Sequence, residues 1–276
     1  AAFPFLSGSG RFSASNNAGA GSVSIDITSM IAPNTRLRFY VVSGWNNPTQ
    51  NKVSIDNIQI AYVLNAAPVL DFSKSPVLAA INEDSGAPVG AVGTLVSALI
   101  DIGGPLNNVS DSDAGAQVGI AVTAANTSNG NWFYSTNNGS VWNALGVVSN
   151  ANAQLLAADA TTRICFQPNA NYHGTHANAL TFRAWDRTNG SEGGFADTSV
   201  NGGSSAFSVA TDTVSLSVNP VADTPSVTNA TTNEDSQTTS GLVISKNAAD
   251  GTEVTHLKVT GISNGTLYHN DGTTPI

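Results

Sequence analysis

Thr213-Val214-Ser215-Leu216-Ser217-Val218 places an apolar residue at every second position and a small polar one between. Successive side chains of an extended chain point to opposite faces, so this alternation suits a strand with one face in a core and the other in water. The same period recurs upstream. Val23, Ile25 and Ile27 alternate with Ser24 and Asp26, and Leu37, Phe39 and Val41 alternate with Arg36, Arg38 and Tyr40. Between such runs stand Asn-Gly pairs at 129–130, 138–139, 189–190 and 264–265, and Asp-Gly pairs at 250–251 and 271–272. These pairs favour tight turns between strands. No long stretch repeats at the helical period. Many short strands joined by such turns predict an all-β chain of antiparallel β-sandwich modules.

The composition narrows the partners. Ten Lys+Arg stand against 19 Asp+Glu, a formal charge of −9. That balance repels phosphate backbones, so no nucleic-acid partner is expected, and it suits divalent cations. Only 11% of the residues are charged, while 41% are hydrophobic; such a chain has apolar material for real cores and is not driven to disorder by its charge. The single cysteine, Cys165, excludes an intrachain disulfide, which leaves core packing or metal to stabilise the fold. No apolar run approaches the ~18–20 residues of a membrane span. The start at Ala1 and the unfinished pattern at Ile276 suggest an internal fragment, so the missing signal peptide carries no information about location.

Two Pro-containing joints divide the chain. Leu64-Asn65-Ala66-Ala67-Pro68 follows the strand pattern of Val53 to Val63, and Asn219-Pro220-Val221-Ala222-Asp223-Thr224-Pro225 follows that of 213–218. Both are short, so the modules are expected to abut. An internal repeat supports the division. Asn82-Glu83-Asp84-Ser85 recurs as Asn233-Glu234-Asp235-Ser236, and Asp113-Ala114-Gly115 leading to Ser128-Asn129-Gly130 is echoed by Asp250-Gly251 leading to Ser263-Asn264-Gly265. Residues 65–220 therefore read as one complete module and 221–276 as the opening part of a second, more compact copy.

The order of these landmarks resembles the bacterial cadherin-like repeats of giant secreted adhesins. The resemblance rests on Asn82-Glu83-Asp84-Ser85, Val109-Ser110-Asp111-Ser112-Asp113-Ala114-Gly115, Gly130-Asn131-Trp132-Phe133-Tyr134-Ser135, Arg163 to Asn169, Tyr172-His173-Gly174 and Leu180 to Asp186. It covers roughly residues 65–276. Residues 1–64, with Val23 to Ile27, Thr35 to Phe39 and Val53 to Ile58, resemble the final strands of a galactose-binding-like jelly roll.

The adhesin resemblance implies Ca²⁺ at the module ends. Its ligand positions fall on Glu83, on Asp111 with Asp113, on Asp186 and on Asp223. Ca²⁺ takes ~6–8 oxygen ligands, and Asp-x-Asp in an extended turn offers two carboxylates on one face. The first joint carries Ala66 where the family carries a carboxylate, whereas the second keeps Asp223. All five ligands are accordingly expected to converge near the second joint. Each also has a plainer reading as a solvated turn residue.

Other residue types point to less. Trp132 and Trp185 lie in strand patterns and are expected in the core, while Trp45, in Gly44-Trp45-Asn46-Asn47-Pro48, is the better candidate for an exposed sugar platform. His173 and His176 have no further sequence-adjacent Cys or His to complete a Zn²⁺ site and read as a polar loop. Cys165 reads as a packed thiol. No nucleophile elbow, P-loop or dinucleotide fingerprint is present, so no catalytic residues are assigned and no enzymatic activity is expected.

The resemblance implies a structural or adhesive segment of a secreted bacterial cell-surface protein, with neighbouring modules of the same long chain as its first partners. Cell-surface glycans or proteins are further possible partners. Two alternatives stay open: a carbohydrate-binding region centred on residues 1–64, and a non-catalytic accessory part of a secreted hydrolase.

Overall fold

In the computed structural model, which describes residues 64–276, the alternating run Thr213 to Val218 lies in strand β12 (Phe207–Asn219). Its side chains alternate as expected. Asp212, Val214, Leu216 and Val218 are buried, and Thr211, Thr213, Ser215 and Ser217 face solvent. The strands, jelly-roll likeness and Trp45 platform expected in residues 1–63 lie outside the described residues. The chain divides into two compact units, Ala1–Leu64 and Asn65–Ile276, and the second is described here.

The unit is all-β. Among the described residues the helices are two three-residue 3₁₀ turns, Val96–Ala98 and Ala248–Asp250. Strand β12 belongs to a six-stranded sheet with β2 (Ile81–Asn82), β5 (Gly119–Ala125), β8 (Ala153–Ala157), β10 (Gly174–Trp185) and β11 (Phe195–Ala196), in the order β11-β8-β5-β10-β12-β2. A four-stranded sheet runs β3-β9-β6-β7, from β3 (Thr94–Leu95), β6 (Gly130–Ser135), β7 (Asn143–Ala144) and β9 (Arg163–Pro168). Two small ribbons complete the unit: β1 (Val69–Leu70) with β4 (Val109–Ser110), and β13 (Ser226–Val227) with β14 (Ile244–Ser245).

One core unites the two large sheets. Val214, Leu216 and Val218 of β12, Leu180 and Phe182 of β10, and Ile120 and Val122 of β5 pack with Trp132, Ile164 and Phe166 of the four-stranded sheet. Burial of each such side chain contributes about 1.5–3 kcal/mol. Trp132 meets Phe166 with ring centroids 4.9 Å apart. A second, smaller cluster covers the other face of the large sheet, where Ala121, Leu155, Trp185 and Phe207 meet. Both tryptophans are buried, as expected, and each indole N–H is satisfied by a backbone carbonyl, Trp132 by Asn126 at 2.9 Å and Trp185 by Asn189 at 2.7 Å. Neither ring is free to stack on a sugar. Cys165 is buried, and its burial pushes the thiol up to about 11.

Strand direction places the ends of the unit. In the antiparallel pair β10–β12, Gly174 faces Val218 and Trp185 faces Phe207. The two joints therefore lie at opposite ends of β10, separated by roughly 35 Å at ~3.3 Å per residue. The sequence pattern led to a wholly antiparallel expectation, and one pair departs from it: β2 runs parallel to β12, with Val218 beside Ile81 and Asn219 beside Asn82. The reason is topological. The chain leaves the first joint near Gly203, where Ala67 N–H donates to the Gly203 carbonyl, and travels in the direction of β12 to reach the second joint.

Residues 221–276 contribute no apolar side chain to either core. Val227, Val243 and Tyr268 are exposed, and Asp250 is the buried residue of the segment. Its attachment to the rest of the unit is polar. Asp84 and Asp235, the third residues of the two Asn-Glu-Asp-Ser segments, both adopt the left-handed conformation, with φ of 58° and 56°.

Candidate functional site at the second joint

The joint 219–225 leaves β12 as an extended segment and is gripped at alternate residues. The Asn219 carbonyl accepts from Glu83 N–H at 2.9 Å. Val221 N–H donates to Glu83 Oε1 at 2.7 Å, and Asp223 N–H donates to Asp250 Oδ1 at 2.7 Å. Positions two apart in an extended chain share a face, so two buried carboxylates stand where a neighbouring strand would otherwise pair. Glu83 is brought there by the parallel pairing of β2 with β12. Asp250 is brought there by the 3₁₀ turn, whose preceding residue Asn247 accepts from Ala249 N–H at 3.0 Å and caps it.

Further acidic groups crowd the same place. Asp84 turns away in its left-handed conformation to accept from Asn171 N–H at 2.9 Å. His173 sits between two glutamates, with Nδ1 3.2 Å from Glu83 Oε2 and Nε2 3.0 Å from Glu253 Oε2. Among the described residues no Lys or Arg is ion-paired with this group. The consequence appears at Asp223, whose carboxyl is held above the usual carboxylate range by burial first, and then by the charges of Asp250, Asp84 and Glu83. Two carboxylate oxygens here, Asp223 Oδ2 and Glu253 Oε2, are shielded from solvent without a hydrogen bond. Glu253 Oε2 is near the imidazole but not aligned with its N–H. Such orphaned acceptors are rare in native structures and call for a proton, a water or a cation.

The five ligands expected at one site do not converge, and the single-site expectation is corrected. Glu83 and Asp223 are at the second joint. Asp111, Asp113 and Asp186 are at the first. Asp113 Oδ2 accepts from Ala66 N–H at 3.0 Å, and Asp186 Oδ2 accepts from the Asn65 side-chain amide at 2.7 Å. Asp113 N–H donates to Asp111 Oδ1 at 2.9 Å, while Asp111 Oδ2 is buried without a partner. Asp186 Oδ1 also holds the following turn through Thr188 N–H at 2.8 Å. Asp186 follows Trp185 at the far end of β10, so the length of that strand separates it from Glu83, and no single ion spans the two.

The two joints are nonetheless built alike. Asp113 binds the amide of Ala66 and Asp250 binds the amide of Asp223, and in each case a proline follows two residues later, Pro68 and Pro225. Asp250 was legible as the echo of Asp113, but its contact with the joint was not. His173 lies in an exposed polar loop ahead of β10, as expected, whereas His176 departs from the polar-loop reading. His176 is in β10, fully buried, stacked on Phe166 at 4.7 Å between ring centroids, with Nε2 3.0 Å from the Asn126 carbonyl. His173 belongs to the site.

Among the described residues no helix is long and apolar enough to cross a membrane. Comparison of the chain with protein-family models, with curated proteins and with solved structures found no match, so the reading of the joint rests on its own geometry and chemistry.

Proposed function

We propose that this chain is a non-catalytic structural segment of a secreted bacterial surface adhesin, built from tandem cadherin-like β-sandwich modules whose joints are fixed by Ca²⁺. The observation that carries the reading is the second joint, held at Asn219, Val221 and Asp223 between buried carboxylates, with Asp223 Oδ2 left without a donor. A hard dication supplies what the site lacks. It neutralises the repulsion among Asp223, Asp250, Asp84 and Glu83 and engages the orphaned oxygen. In this role the protein's partners are the next modules of its own chain, and through them cell-surface glycans or proteins.

Thermal melting of the full chain with and without Ca²⁺ tests the proposal. At 10 mM Ca²⁺ and the ~10⁻⁴–10⁻³ M affinity of extracellular modules, mass action adds about 1.4–2.7 kcal/mol. For a unit of this size that is a rise in Tm of roughly 3–10 °C. The variant Asp223→Asn with Asp250→Asn keeps the size and one acceptor of each side chain and removes both charges, so the rise at the second joint should vanish. An unchanged Tm in the parent protein at 10 mM Ca²⁺ contradicts the proposal.

A further inference from the structure

We propose that Glu83, His173 and Glu253 form a site for a borderline divalent transition metal, with Zn²⁺ as its representative, set across the second joint. One ligand atom from each of the three residues lies within 4.8 Å of the other two. Glu83 Oε2 lies 3.2 Å from Nδ1 and Glu253 Oε2 lies 3.0 Å from Nε2, so whichever ring nitrogen the ion takes already has one carboxylate oxygen at donor spacing, and the other carboxylate closes in from within the 4.8 Å span. With Zn–N and Zn–O bonds of about 2.0–2.1 Å, tetrahedral ligand atoms stand roughly 3.3 Å apart.

Each ligand is prepared in a different way. Glu83 is 3% exposed, and its Oε1 is committed to Val221 N–H. This fixes the carboxylate so that Oε2 faces the imidazole, the role a supporting hydrogen bond plays at metal sites. Glu253 follows the 3₁₀ turn and is tied back by its N–H to the Asp250 carbonyl at 3.0 Å; its Oε2 is shielded from water and has no aligned donor. His173 stands at the entry to β10 with its side chain 37% exposed, which leaves an approach for the ion. The ion takes one ring nitrogen, so one carboxylate exchanges its imidazole contact for a metal bond. Two carboxylates and a dication sum to zero charge, which suits a partly buried place, and a fourth position is left for water.

The imidazole sets the metal class. Ca²⁺ is an oxygen-seeking ion, whereas a nitrogen with two carboxylates suits Zn²⁺ and its neighbours. Glu83 and His173 come from the 65–220 body and Glu253 from the segment beyond the joint, so the ion binds only when the two are docked. The inference shares Glu83 with the calcium proposal but does not depend on it.

Isothermal titration of the full chain with ZnCl₂ at pH 7 in Ca²⁺-free buffer tests it. The expected result is a Zn²⁺ site that is weakened at least about tenfold by His173→Ala and by Glu253→Gln, and left unchanged by His256→Ala with His269→Ala, which removes exposed histidines elsewhere. Both site variants leave the core intact, and circular dichroism checks their fold. The Ca²⁺ response of the Tm should survive His173→Ala, so failure of either metal proposal is visible separately. Absence of Zn²⁺ binding in the parent protein overturns the inference. So does Zn²⁺ binding that His173→Ala leaves intact.

Discussion

Asp250→Ala removes the acceptor of the Asp223 amide while keeping the backbone of the 3₁₀ turn, whose own hydrogen bonds, Asp250 N–H to Asn247 and Glu253 N–H to Asp250, need no side chain. A hydrogen bond to an ionised acceptor contributes about 1.5–3 kcal/mol. Against this stands the relief of repulsion between Asp250 and Asp223. Asp250→Asn separates the two effects, because it drops the charge and keeps an oxygen facing the amide. Amide hydrogen exchange measured by NMR reads the opening of this one contact. In Asp250→Ala the Asp223 amide should exchange roughly 10- to 100-fold faster, at 1.4 kcal/mol per factor of ten. The Val221 amide, held by Glu83 instead, serves as an internal control and should change far less. Asp250→Asn should leave Asp223 protected. If alanine leaves the Asp223 amide as slow as in the parent protein, the Asp250 carboxylate does not hold the joint.

Other outcomes follow from the same geometry. The raised folded-state pKa of Asp223 means that its ionisation opposes folding: the group's favourable contribution is complete below the ordinary value of 3.8 and is lost as pH rises through the folded value, so without Ca²⁺ Asp223→Asn should raise the Tm at pH 7 and have no such effect at pH 3. Asp271 behaves oppositely. Hydrogen bonds from the Thr274 side chain and from the Thr274 and Thr273 amides hold it at about 2, its contribution is lost as pH falls from 3.8 through that value, and an NMR titration should find its midpoint well below those of exposed carboxylates. Cys165, buried with its thiol near 11, should resist iodoacetamide at pH 8 in the native protein and react at once in denaturant. Leu216→Ala, at a site 3% exposed between the two sheets, should cost about 2–5 kcal/mol in chemical denaturation, whereas Ser217→Ala on the solvent face should cost little.

Strand β12 was legible because one face meets the core and the other meets water, which is the situation that alternation reports. Strand β5 was not legible in that way. Ile120 and Val122 face the main core, but Ala121 between them is also buried, against Leu155, Trp185 and Phe207, and a strand covered on both sides loses its period. The acidic residues show a different limit. Their types and spacings pointed to joints, but which joint each serves depends on strand direction. Asp186 follows β10 and Glu83 follows β2, and these strands end at opposite ends of the unit. The parallel entry of β2 is a fact of topology that no local pattern records. His173 was discounted for want of neighbours in sequence, and its neighbours are Glu83 and Glu253, 90 and 80 positions away.

The twelve residues of β10 and the thirteen of β12 run the length of the unit from one joint to the other. A pull applied through the two joints therefore acts along these strands and loads their ladder in shear. Many hydrogen bonds must then give way together, whereas a pull across the strands would open them one at a time. Resistance to force is a matter of unfolding rate under load, and for this geometry it is anisotropic: high along the chain's own path and low across it. The weak element under such a pull is the polar attachment of residues 221–276, which has no buried apolar side chain behind it and would yield first, lengthening the chain while the two-sheet body stays folded.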